Sequence, residues 1–294
     1  MTFAMTRLRI LMAFLFCLLP GVAASQVMTA YLNHLNILPL EDPYCSPGTG
    51  EHLGPDRAVS PELCTAVSVP AISPATGTVD AWRGVVDWVL IELRYISGNV
   101  YSPDRQAIIA RKPGFLLSNG RIVGAAHYAR ISSATPDQCS HSPLASDEHC
   151  PGVWFDGLTP SEDEDIYVIV RHRNHLDIIS AQPVAADAVA GVGVYAYDFS
   201  ASVRSAANNN MKVIIGPRGG DGSRLLSVAV VPAGDINGDG RIFPVGDLLS
   251  SRVSDVGMID YHVADFNLNG TVHIEDFTNY VSNNLGTITG IPQF

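Results

Sequence analysis

Asp235-Ile236-Asn237-Gly238-Asp239-Gly240-Arg241-Ile242 and Asp265-Phe266-Asn267-Leu268-Asn269-Gly270-Thr271-Val272 are two versions of one pattern. Each sets oxygen-bearing side chains at loop positions 1, 3 and 5: Asp235, Asn237 and Asp239 in the first, Asp265, Asn267 and Asn269 in the second. Glycine follows at position 6 and an aliphatic residue at position 8. This is the opening half of an EF-hand loop. Calcium takes six to eight oxygens at about 2.3–2.6 Å, and a tight loop with oxygens at alternate positions supplies them. Arg241 and Thr271 stand at position 7, where the backbone carbonyl is the ligand. The copies start 265 − 235 = 30 residues apart, and the repetition sets them apart from an acidic turn met by chance. The competing reading is a pair of Asx-turns without metal.

The second copy runs in register: Asp276 is its twelfth residue and closes the loop. Phe277, Tyr280, Val281 and Leu285 then fall at i, i+3, i+4 and i+8, which predicts a helix, with Gly286 as its C′ terminator. The first copy is one residue out. Its twelfth residue is Gly246, and the closing carboxylate, Asp247, is the thirteenth. Pro244 also interrupts the run. Either the loop bulges by one residue or a water replaces the last ligand. The flexibility of Gly246 favours the bulge. Three carboxylates then serve the first loop, against two carboxylates and two amides in the second. The expectation is two calcium sites, the first at least as tight as the second.

Residues 233–287 resemble a type I dockerin, in which each of two calcium loops precedes one helix. The resemblance implies a small α-helical module. In that family loop positions 10 and 11 contact a partner cohesin. Here they are Pro244-Val245 and Ile274-Glu275 instead of small hydroxyl pairs, so calcium binding carries over better than cohesin binding. The implied partners are a cohesin-like or cell-envelope protein, or an extracellular polysaccharide.

The other end of the chain speaks to compartment. Arg7 and Arg9 precede an apolar run, Ile10 to Leu19, which Pro20 and Gly21 break; Val22-Ala23-Ala24-Ser25 then offers small residues for cleavage. This reads as a secretory signal peptide over residues 1–24. No other apolar run reaches about 18 residues, so no membrane span is expected in the mature chain. Without residues 1–24 the balance is 18 − 2 = 16 basic against 29 acidic residues, a net of −13. That excess argues against a nucleic-acid partner. Cys45, Cys64, Cys139 and Cys150 remain, an even count that in an exported chain suggests two disulfides. Local pairing, Cys45–Cys64 and Cys139–Cys150, is the expected connectivity, because each pair lies in Pro/Ser/Asp-rich sequence.

Between the two ends the sequence reads as mainly β. Val27 to Leu38 reads as a short helix or strand, and a turn-rich stretch follows it. Val85 to Arg94 is rich in β-branched and aromatic residues. Phe115-Leu116-Leu117 and Arg121-Ile122-Val123 flank an Asn119-Gly120 turn signal, which predicts a hairpin. Ile166 to Arg171, Asp177 to Ala181, Val192 to Phe199, Met211 to Ile215 and Leu225 to Val231 add short strands. The glycine-rich Gly216 to Ser223 reads as a turn, because it lacks the Lys-Ser/Thr of a phosphate cradle. Short strands between turn signals predict a sandwich. The expected organisation is a signal peptide at 1–24, a loop-rich segment at 25–84, a β-sandwich at 85–232 and the calcium module at 233–294.

Trp154-Phe155-Asp156-Gly157-Leu158 leading to Ile166-Tyr167-Val168-Ile169-Val170 resembles the closing strands of transthyretin-like or CnaB-like sandwiches, which implies an Ig-like or transthyretin-like fold. Four further segments resemble a family of exported bacterial proteins described as adhesin-like. They are Ile37-Leu38-Pro39-Leu40 with Pro43-Tyr44, Val86 to Arg94, Val170 to Leu176, and Gly234 to Gly240. That resemblance implies a secreted or cell-surface protein and no reaction.

One cluster carries catalytic vocabulary, Arg171-His172-Arg173-Asn174-His175. On a continued strand His172 and His175 would face opposite ways, so a shared zinc is not expected. Pairing of Arg171 or Arg173 with Glu92 or Asp87 across the sheet explains the charge better. Glu162 to Asp165 reads as a solvated turn. No catalytic residue is assigned. The expectation is a calcium-binding interaction or structural protein; the alternative is a polysaccharide-degrading enzyme or accessory module bearing a dockerin.

Overall fold

The computed structural model describes residues 8–13, 39, 43–44, 85–96, 106–117, 121–124, 153–155, 165–186, 194–217, 225–249, 255–289 and 291. Eleven strands lie among them: β1 Leu8–Ala13, β2 Val85–Ile96, β3 Gln106–Leu117, β4 Arg121–Gly124, β5 Val153–Phe155, β6 Ile166–Arg171, β7 Ile178–Ile179, β8 Ala185–Ala186, β9 Val194–Asp198, β10 Lys212–Pro217 and β11 Leu225–Val230. Nine form one sheet in the order β7-β6-β2-β3-β4-β1-β9-β8, with β5 also paired to β1. β10 and β11 form a separate antiparallel hairpin. The described part of the chain is mainly β, as the sequence predicts.

β2 is the spine. It pairs antiparallel with β3 from Val85↔Leu117 to Ile96↔Gln106 and with β6 from Leu90↔Arg171 to Tyr95↔Ile166. All of its residues are buried except the half-buried Tyr95. A strand covered on both faces needs apolar side chains on both, which is why Val85 to Leu93 reads as a near-continuous apolar run and not an alternating one. The predicted hairpin forms, with Phe115↔Val123 and Leu116↔Ile122 in register. The Asn119-Gly120 tip, the four cysteines, Val27 to Leu38, and Glu162 to Glu164 lie outside the described residues.

Trp88 sits at the centre of the main core, its ring 4.2 Å from that of Phe115. Its indole Nε1 donates to the Pro39 carbonyl at 3.0 Å, and the Tyr44 hydroxyl donates to the Trp88 carbonyl at 3.4 Å. Met211, Ala229 and Val231, from the hairpin and its flanks, join this core, and so do Leu268 from the second Asp/Asn-rich loop and Tyr261 from the segment before it. The described residues of the 233–294 region are therefore packed on the sheet. The seam is a strand-like pairing: Leu176 donates to the Pro232 carbonyl, Gly234 donates to the Asn174 carbonyl, and His175 bridges Ala233. Pro39 and Tyr44 hold Trp88, Asp87 holds Arg173, and Asn174 holds Gly234.

Two features depart from the sequence reading. Leu8–Ala13, inside the expected signal peptide, is a sheet strand, antiparallel to β4 and β5 and parallel to β9. Five apolar residues around Arg9 suit a strand as well as a leader core, and periodicity alone does not separate the two. The strand β6 also stops at Arg171 and does not run on through the histidines. His172 and His175 therefore come together, with Nδ1 atoms 3.0 Å apart and rings edge to face. Among the described residues no helix is long and apolar enough to cross a membrane.

Candidate metal centres

In the first loop the Gly240 N–H donates to Asp235 Oδ2 at 3.2 Å, the Asp239 N–H to Asn237 Oδ1 at 3.1 Å, and the Arg241 N–H to Asp239 Oδ1 at 2.9 Å. The second loop repeats this pattern. Gly270 donates to Asp265 Oδ2 at 2.9 Å, Asn269 to Asn267 Oδ1 at 3.0 Å, and Thr271 to Asn269 Oδ1 at 2.9 Å. Position 6 needs a left-handed backbone, and the glycines there have φ of 77° and 82°. Position 4 needs it too: Gly238 has φ 73°, but the second loop places Leu268 there at φ 58°. A left-handed leucine costs roughly 1–2 kcal/mol. Burial of its side chain in the sheet core offsets that cost.

The closing carboxylates are equivalent despite their different counts. Asp247 Oδ1 accepts from the Ile236 N–H at 2.9 Å, and its Oδ2 accepts from Phe243 at 2.7 Å. Asp276 Oδ1 accepts from Phe266 at 3.0 Å and from Asn267 at 3.2 Å, and its Oδ2 accepts from His273 at 2.8 Å. Both thus bind the N–H groups of loop positions 2 and 9. The extra residue is absorbed in the turn between. Asp247 N–H reaches back four residues, to the Phe243 carbonyl; Asp276 N–H reaches back three, to His273. The bulge therefore forms, but its cause differs from the expected flexibility. A Cβ on Gly246 would stand 2.9 Å from Asn237 Nδ2, so a side chain there would push the Asn237 amide out of its place in the loop.

Each loop leads into a short helix with wide, π-type turns, α1 Pro244–Leu249 and α2 Asp276–Val281. α2 continues as Ser282–Asn284, and Gly286 follows with φ 85°, the predicted terminator. Phe277, Tyr280 and Val281 are buried, while Leu285 leaves the helix and is partly exposed. The segment after each helix pairs with the other loop. Gly257 donates to Val272, and Val272 donates to Met258; Gly286 donates to Ile242, and Ile242 donates to Thr287. This is an internal two-fold. Its sequence signal is Val256-Gly257-Met258-Ile259 against Leu285-Gly286-Thr287-Ile288, an offset of 285 − 256 = 29, one less than the loop offset of 30. That missing residue is the one inserted before Asp247. The loop motif alone does not reveal this second repeat.

All ten expected ligand residues lie in these two loops. Asp235, Asp247, Asp265 and Asp276 are buried, Asn237, Asp239, Asn269 and Thr271 are half-buried, Asn267 is buried, and Arg241 is exposed. Burial pushes Asp247 up to about 6, against the donated N–H bonds and with a further push from Asp239. Burial also pushes Asp265 up to about 6, although Arg173 and the Gly270 N–H oppose it, and it raises Asp276. Crowded, buried carboxylates in an all-oxygen donor set fit a hard divalent cation. Among the described residues no group of three or more His, Cys, Asp or Glu side chains is arranged to hold a metal by those side chains alone.

The sheet meets the second loop through the Arg-His-Arg-Asn-His cluster. Arg173 Nε donates to Asp87 Oδ2 at 2.9 Å, its Nη1 donates to the His262 carbonyl, and its guanidinium lies 4.2 Å from the Tyr261 ring centroid. Nη2 is 3.8 Å from Asp265 Oδ2. Burial opposes the charge on Asp87, but Arg173 and His172 outweigh it and hold the carboxyl at about 2. Beside it, Glu92 takes Arg94, Arg111 and Arg171, and Arg171 also binds Asp177. The expected pairing of Arg171 or Arg173 with Glu92 or Asp87 is present twice over, as Arg171 with Glu92 and Arg173 with Asp87. His172, Arg173, Asn174 and His175 are buried and Arg171 is half-buried. The role of Arg173 and Tyr261 beside the second loop is not visible in the sequence, because it depends on a contact across about 90 residues. No protein-family model, curated protein or solved structure matches the chain.

Proposed function

We propose that the chain is an exported calcium-binding interaction or structural protein, adhesin-like, whose C-terminal part is a dockerin-like pair of calcium loops. One observation carries this reading: two loops of different length arrive at one hydrogen-bond network, each with its closing carboxylate on positions 2 and 9. Asp235, Asn237, Asp239, Asp247 and the Arg241 carbonyl would hold one ion. Asp265, Asn267, Asn269, Asp276 and the Thr271 carbonyl would hold the other. The ion supplies charge neutralisation and cross-links each loop to its helix. The hairpin β10–β11, packed on the core of the large sheet, supports a sandwich as the finer fold. Exported chains meet millimolar calcium, which suits weak sites of this kind. A cohesin-like or cell-envelope protein, or an extracellular polysaccharide, is the proposed partner.

Calorimetric titration of the whole protein with calcium should give two ions per chain, with magnesium a poor competitor. Absence of any binding would sink the reading. N-terminal sequencing of the exported protein should start at Ser25 or Gln26. A start at Met1 or Met5 would assign β1 to the mature sheet and remove the signal-peptide argument.

A further inference from the structure

We propose that the second calcium loop is a strut for the sheet: filling it stabilises β2 through Arg173 and Leu268, while the first loop does not act on β2 directly. This rests on the calcium reading above. Arg173 is buried, and its contacts divide between two bodies. Asp87 belongs to β2; the His262 carbonyl, the Tyr261 ring and Asp265 belong to the second loop and its approach. Asn174 adds a bond from its Nδ2 to the Asp265 carbonyl at 2.7 Å. If the second loop loosens, Arg173 and Asp87 remain as buried charges with part of their shell gone, and such a loss is strongly unfavourable.

The backbone of the loop is bent to the same end. Leu268 occupies a position where the first loop has a glycine, and its side chain enters the core that holds Trp88 and Val89. A leucine forced to φ 58° is retained where the neighbouring structure gains from it. The first loop has a different route to the sheet. The Gly240 carbonyl accepts from Thr289, whose Oγ1 donates to the Asp177 carbonyl near β7. That route reaches β2 only at one remove, through Arg171, which pairs with both Asp177 and Glu92.

Hydrogen–deuterium exchange of the full chain, followed on peptides covering Val85–Ile96, tests this with calcium or chelator present. Calorimetry on the same samples counts the ions. Asp276→Asn disables the second loop without touching Arg173, because the Asp276 bonds are to N–H groups of its own loop. Asp235→Asn disables the first. Calcium should slow β2 exchange at least tenfold in the wild type and in Asp235→Asn, and less than twofold in Asp276→Asn. Leu268→Gly, which takes the residue of the equivalent first-loop position, should keep two ions yet lose most of the protection. Two ions bound with β2 exchange unchanged would overturn the strut. So would protection that follows Asp235 instead of Asp276. If the wild type binds no calcium, the failure lies in the reading beneath it.

Discussion

The first loop closes on its thirteenth residue and the second on its twelfth, yet Asp247 and Asp276 grip the same two N–H positions. The closing carboxylate is therefore placed by the internal two-fold, not by counting along the loop. Each helix is held because the segment after it pairs with the opposite loop, through Gly257 and Val272 on one side and Gly286 and Ile242 on the other. With both ends fixed, one extra residue costs only a wider turn, and Gly246 before Asp247 leaves the Asn237 amide undisturbed. The loops also differ in attachment. The second is set into the sheet core by Leu268 and by Tyr261 just before it, and the first meets the sheet side through Gly234, which donates to the Asn174 carbonyl, and through Thr289.

The largest expected effect is that of removing calcium from both loops. A ligand at about 100 times its dissociation constant stabilises by about 2.7 kcal/mol per site. Two such sites give about 5 kcal/mol, or roughly 10–20 °C in Tm for a chain of this size. Scanning calorimetry of the full protein in calcium and in chelator checks it. A shift below about 3 °C would mean that neither loop contributes metal-linked stability, and the comparison would then concern two Asx-turn loops.

Acid should erase part of the same stabilisation. Asp247 and Asp265 are raised to about 6 from an ordinary 3.8. In the metal-free fold both bind protons between about pH 4 and 6 that the unfolded chain releases, so metal-free stability falls as pH rises through that window. Calcium needs them ionised. Its affinity should therefore drop about tenfold per site on going from pH 7 to pH 5, near 1.4 kcal/mol for each pH unit below the folded value. Titrations at the two pH values test this, and equal affinities would mean that burial does not hold these acids up.

A smaller effect separates the loops. Gly246→Ala sets a Cβ 2.9 Å from Asn237 Nδ2 and should weaken the first site by about 1–2 kcal/mol. Glu275→Ala, at the equivalent position of the second loop, should leave its site within about 0.5 kcal/mol of the wild type, because Glu275 is exposed. Equal responses at the two sites would mean that the extra residue is not accommodated at Gly246.

Much of this was legible beforehand. Val85 to Arg94, Ile166 to Arg171 and the Asn-Gly hairpin carried strand signals strong enough to place, since β-branched runs and turn residues are local chemistry. The loops were legible for the same reason. Three things were not. Leu8–Ala13 has the composition of a leader and of a strand alike. His172 and His175 could not be paired until the end of β6 was known. Arg173 and Leu268 act on partners far away in the chain, and no local pattern reports that. The 29-residue echo of Val256-Gly257-Met258-Ile259 in Leu285-Gly286-Thr287-Ile288 was present in the sequence, but it gains meaning only once the segment after each helix is seen to pair with the other loop.

The central claim is that Asp247, one residue out of register, closes a calcium site as Asp276 does. Calorimetric stoichiometry of Asp247→Ala in the full chain tests it most directly. One ion per chain, against two for the wild type and one for Asp276→Ala, is the expected result; two ions retained in Asp247→Ala would contradict it.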